Sequence, residues 1–184
     1  MSKKKNSEAA KTTLRLVFSA LFLAISIILP TVISMGSHQL GQTLLPMHIP
    51  VMLSGFICGT PYGLAVGFIA PLLKSILTGL PVMTSAVSMA FELAAYGAVC
   101  GFFYKVFPKK IGYIYPTLII SMVVGRIING FINYLITTSA ENEFVLESFI
   151  TLTTVKALPG IIIQLAIIPL VIIALRKTRL MLNG

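Results

Sequence analysis

From residue 13 onward, long apolar runs alternate with short polar breaks, and the runs have the length of membrane-crossing helices. A helix needs ~20 mostly apolar residues to cross a hydrocarbon core ~30 Å thick. The first run, TLRLVFSALFLAISIILPTVIS, covers Thr13–Ser34, and the polar stretch GSHQLGQT (36–43) follows it. Two shorter runs, Met47–Thr60 and Tyr62–Leu77, are joined by the tight turn CGTPYG. A proline-containing connector, Leu80–Ser85, leads into a fourth run, Val82–Phe103, which ends at KVFPKK. The fifth run, Tyr113–Thr137, precedes the acidic stretch SAENEFVLE, and the sixth covers Phe149–Leu175. The pattern predicts an all-α integral membrane protein: six transmembrane helices in one bundle over 13–175, flanked by basic tails at 1–12 and 176–184.

Composition agrees. The 184 residues are 57% hydrophobic and only 10% charged, with a mean hydropathy of +0.96. A soluble domain carries about 25% charged residues. The first run continues without a small-residue cleavage pattern, so it reads as a retained span and not as a signal peptide. The formal charge of +9 would suit nucleic acid, but the positions point elsewhere. Eleven of the fourteen basic residues lie in the N-terminal stretch up to Arg15, in the 105–110 turn and in the C-terminal tail. Six spans put these three segments on one side, and the loops on the other side carry no Lys or Arg. The positive-inside rule then makes both termini cytoplasmic.

Small residues recur at a spacing of four, at Gly55, Gly59, Gly63 and Gly67, and again at Gly97 and Gly101. Such series let helix backbones approach closely. Ala20 and Ala24 form a similar pair in the first span, suited to docking on a partner's helix. Cys58 and Cys100 sit in apolar runs without ligand-type neighbours and read as packing residues.

An ionisable group inside a bilayer costs at least ~2.5 kcal/mol, so it faces the bundle interior or water. Glu92 and Arg126 fall near mid-depth, ~16 Å and ~20 Å into their spans from opposite ends. The two are placed to meet. Arg126, Asn129 and Asn133, spaced i, i+3, i+7, share one helical face. Lys74, His48, Gln42 and Lys156 come from other segments near the same end, with Gln164 deeper in the sixth span. Together they predict a cavity open outward and closed inward. Two readings of Glu92 and Arg126 stand side by side: an ion pair that fixes the bundle, or groups that also touch a ligand. Lys74 and Lys156 have a second reading too, snorkelling to lipid headgroups.

No GxxxxGK(S/T) phosphate loop, HExxH or GxSxG is present, and Asp is absent altogether. Enzymatic, metal and phosphoryl-transfer chemistry therefore lack their usual residues. The expectation is a non-enzyme without metal or cofactor, which binds but has no engine of its own.

The order of LPMHIPVMLSGFICGTPYGLAVGFIAPLLKSILTGLPVM, SMAFELAAYGAVCGFFY and VVGRIING resembles the substrate-binding S components of energy-coupling factor (ECF) vitamin transporters. The likeness covers about residues 13–175. It implies a bacterial plasma-membrane protein that captures a water-soluble vitamin or precursor as substrate. It also implies a transmembrane coupling (T) component and two cytoplasmic ATPase subunits as partners. By that resemblance Ala20 and Ala24 match the docking motif for the T component. Glu92, Arg126, Asn129, Asn133 and Lys156 lie in the binding zone, and Gly79, Leu80, Pro81 and Val82 in the gate loop. Pantothenate is the first choice of ligand, followed by pyridoxine, niacin or a benzimidazole riboside. A self-sufficient carrier or channel, with Glu92 and Arg126 as an ion relay, is the alternative.

Overall fold

The computed structural model describes residues 2–36, 43–108, 110–139, 157–178 and 181–183. Among them are six α-helices and one 3-10 turn, with no strand. The helices are α1 (Ser2–Gly36), α2 (His48–Cys58), α3 (Thr60–Thr78), α4 (Met83–Val106), α5 (Ile114–Ser139) and α6 (Leu158–Lys177); the turn, Ile111–Tyr113, leads directly into α5. α1 begins well before Thr13, so most of the N-terminal basic stretch is helical. α6 is described from Leu158 only; the expected start of the sixth span at Phe149 lies outside the described residues.

Among the described residues, five helices are long and apolar enough to cross a membrane. The second expected span is the exception. α2 has 11 residues, or ~16 Å at a 1.5 Å rise, about half of a hydrocarbon core. Ten of those residues are buried. α2 packs against α1, α3, α4 and α6, so protein and not lipid surrounds it. A helix enclosed in this way has no need to match the bilayer's thickness.

The break between α2 and α3 is Gly59 alone, at φ 102° and ψ 173°. This is a backbone region that side chains do not tolerate. Pro61 falls in the first turn of α3, where its missing N–H costs nothing, and not in the turn as the sequence suggested. The glycine series does what its spacing predicted. A Cβ at Gly63 or Gly55 would overlap the Gly97 carbonyl oxygen, one at Gly67 the Leu93 carbonyl, and one at Gly101 the Thr60 backbone. The α2–α3 hairpin thus lies backbone-to-backbone on α4.

The C-terminal tail closes this seam at one end. The Asn183 amide donates to the Gly55 and Gly101 carbonyls at 3.3 and 3.0 Å. Leu182 N–H donates to Ile57 O at 3.0 Å, and Arg15 Nη2 donates to Leu182 O at 2.5 Å. The N-terminal half of α1 and the C-terminal tail therefore meet at the same end of the bundle.

Candidate functional site

α4 carries Glu92 into the interior, where it is 2% exposed. One turn later the same face presents Tyr96, whose hydroxyl donates to Glu92 Oε1 at 2.6 Å. α5 packs alongside, and Gly125 makes room there: a Cβ would strike the Tyr96 ring. The next residue, Arg126, has its Nε 3.5 Å from Glu92 Oε1, and one turn on from Gly125 the Asn129 side-chain amide donates to Oε2. Asn133 extends the chain, donating to both the backbone and the side-chain oxygen of Asn129. Both carboxylate oxygens are thus engaged, as a charge in a low-dielectric interior requires. The expected meeting of Glu92 and Arg126 is present, and Asn129 and Asn133 join it.

His48 begins α2 on the opposite side of Tyr96, with ring centroids 5.4 Å apart. It is 2% exposed. Among the described residues neither ring nitrogen completes a hydrogen bond. His48 also lines a chamber of about 610 Å³. The short α2 creates that space. α3 has 19 residues against 11 in α2, and both start from Gly59, so α3 rises ~12 Å beyond α2. The ends of α1, α3 and α4 stand around the gap. Thr31 and Ser34 line it from α1, Lys74 and Thr78 from α3, and Ser85 and Met89 from α4. It lies at the end of the bundle away from the tail contact.

The connector Gly79–Val82 closes one wall. Gly79 ends α3 at φ 70°, and Ser75 Oγ donates to Pro81 O at 2.7 Å. Leu80, Pro81 and Val82 face the chamber, and Leu80 and Val82 are also exposed.

The expected residues therefore divide. Glu92, Arg126, Asn129 and Asn133 form one internally bonded cluster. Lys74, His48 and residues 80–82 of the connector line the chamber; Gly79 ends α3 just before them. Gln42 and Lys156 lie outside the described residues. Ala20 and Ala24 are exposed on α1, within an apolar face that also shows Leu16, Val17, Leu21 and Ile28. Gln164 is buried with its amide nitrogen unpartnered among the described residues. Tyr96 was missed, although its i+4 spacing from Glu92 was a readable signal. Ser34 was missed too, and nothing along the chain marks it; Ser85 closes the Leu80–Ser85 connector read from the sequence. Among the described residues no cluster of His, Cys, Asp or Glu has the makings of a metal site.

Set against known families, residues 14–174 match the one described as ECF transporter, substrate-specific component. No curated protein and no solved structure matches the chain.

Proposed function

The chain belongs to the substrate-specific components of ECF transporters, and from that membership we propose that it captures one water-soluble vitamin or precursor at the outer face of a bacterial plasma membrane. It is a multi-pass membrane protein and a transporter subunit, from a family that is not one of enzymes. The observation that carries the proposal is a family match across nearly the whole bundle, joined to a chamber at one bundle end.

Charge placement supports an outward chamber. Lys11, Arg15, Lys105, Arg176 and Lys177 belong to the end marked by the tail contact, which the positive-inside rule makes cytoplasmic. A volume of about 610 Å³ falls within the ~300–1,000 Å³ of small-molecule sites. The Gly79–Val82 connector is the gate in this reading. Release inward is driven by a T component, docked at Ala20 and Ala24, and two ATPases. Pantothenate leads as ligand, ahead of pyridoxine, niacin and a benzimidazole riboside. A lone ion relay through Glu92 and Arg126 has less support, because both carboxylate oxygens are held within the cluster.

The test is extraction. Protein purified from its native cells is denatured, and the released small molecules are identified by mass spectrometry. A vitamin or precursor at near-stoichiometric amount, with co-purifying T component and ATPases, is the expected result. A chain that carries no such molecule and associates with none of those subunits would sink the reading.

A further inference from the structure

The C-terminal tail touches three helices within two residues. Asn183 bridges α2 and α4 through the Gly55 and Gly101 carbonyls. Leu182 sends its backbone N–H to Ile57 O in the last turn of α2 and offers its own carbonyl to Arg15 of α1. Met181, just before them, packs against the core. Asn183 is buried, and a Cβ on Gly59 would come within 3.2 Å of its side-chain oxygen. The tail is therefore fitted into the notch that the α2–α3 break opens. Its anchorage there is stiff, because α2 and α3 lie backbone-to-backbone on α4 around Gly97 and Gly101, and close-packed backbone leaves little room to shift.

α1 meets the bundle along one stripe. Ser19, Phe22, Ser26 and Pro30 are buried at spacings of three and four, as one face of a helix requires. Arg15 begins this stripe: it is half-buried, whereas Glu8–Leu14 are exposed throughout. The burial of α1 thus starts where its guanidinium bonds to the tail. A hydrogen bond from an ionised donor is roughly twice as strong as a neutral one. Arg15 precedes Ala20 by five residues, which is ~7.5 Å along the axis and ~140° around it. The tail bond therefore sits behind the lower edge of the exposed Ala20/Ala24 face. Docking through small residues needs close, well-registered backbone approach. A helix that first has to be fixed in place binds more weakly by the cost of ordering it.

We propose that residues 181–183 are a strap that fixes α1 for its partner: Arg15 and Asn183 hold the helix in the pose in which its Ala20/Ala24 face receives the T component. Both are positioning residues. Asn183 locks the tail into the α2–α4 seam, and Arg15 ties α1 to the locked tail. This rests on the docking at Ala20 and Ala24 proposed above and adds the residues that set the surface's pose.

The test uses the full chain in lipid nanodiscs, with spin-label pairs read by double electron–electron resonance and T component recovery read by pull-down. One pair, Lys11→Cys with Lys105→Cys, spans α1 and α4 at the strap's end. The other, Val32→Cys with Ile76→Cys, spans α1 and α3 at the far end; all four positions are exposed, and the native Cys58 and Cys100 are buried away from the label. Arg15→Met and deletion of residues 181–184 each broaden the first distance distribution at least twofold and leave the second unchanged. Each also lowers T component recovery at least threefold. Arg15→Lys, which keeps a donor for Leu182 O, restores most of both. A first distribution that stays narrow overturns the proposal, as does one that broadens with T component recovery undiminished. Equal broadening of both pairs overturns it too, since the tail then stabilises the whole bundle and not the pose of α1. Should the deletion fail to fold by thermal melting, Arg15→Met, which removes a single bond of the strap, decides. A wild-type chain that recovers no T component sinks the docking proposed above and the strap's role with it. Normal wild-type recovery that the variants leave intact sinks the strap alone.

Discussion

Asn129 on α5 donates its side-chain amide to the Glu92 carboxylate on α4, tying two helices together inside the apolar bundle. Asn133 holds Asn129 in turn, and Tyr96 and Arg126 occupy the other carboxylate oxygen. A cluster with this many internal bonds orients one helix against another, so its removal affects the fold before it affects any ligand.

Glu92→Ala leaves the Arg126 guanidinium, the Tyr96 hydroxyl and the Asn129 amide without their acceptor. Loss of one partner of a buried pair costs about 3–5 kcal/mol. Thermal unfolding in detergent should show a large drop for Glu92→Ala and partial recovery in the Glu92→Ala/Arg126→Ala double variant. An unchanged melting temperature with lost solute binding would place the carboxylate on the ligand instead.

Gly97→Ala forces a methyl group into the Gly63 backbone. Overpacking of this kind costs about 1–3 kcal/mol, and backbone atoms give way less readily than side chains. Gly112→Ala, where a Cβ meets nothing within 4 Å, is the matched control and should melt like the wild type.

Asn183→Ala withdraws donors from the Gly55 and Gly101 carbonyls at the closed end of the α2–α4 seam. Gly55 O keeps its bond from the Gly59 N–H, so what is lost is two tertiary hydrogen bonds, about 0.5–1.5 kcal/mol each. The expected outcome is a lower melting temperature with solute affinity within about twofold of wild type, since the chamber is at the opposite end; a twofold change is only ~0.4 kcal/mol.

Ala20→Leu and Ala24→Leu add bulk to an exposed face of α1 and should leave the isolated subunit's melting temperature unchanged. Close helix approach depends on small residues. Co-purification of the T component should therefore fall sharply for either variant, as read by affinity pull-down of the tagged chain. Undiminished recovery of the T component would move the docking surface elsewhere.

Much of this was legible along the chain. Glu92 and Arg126 sat at matching depths, and Asn129 and Asn133 shared a face, because helical rise and period are fixed by the backbone. The glycine spacing foretold close packing for the same reason. The chamber was less legible. The space found is lined from the ends of α1, α2, α3 and α4, of which the sequence had singled out only Lys74, His48 and the connector after α3. Hydropathy could not separate a 14-residue span from an 11-residue helix wrapped in protein, since both are equally apolar.

What the sequence determined by itself was the solvent: a chain this poor in charge must live in lipid, with its basic ends on one side. Which apolar residues face lipid and which face one another, and where a space is left between them, only the tertiary structure decided. The physical reason is that transfer out of water depends on composition alone. A void, in contrast, depends on the relative lengths and contacts of neighbouring helices, here on α2 stopping ~12 Å short of α3.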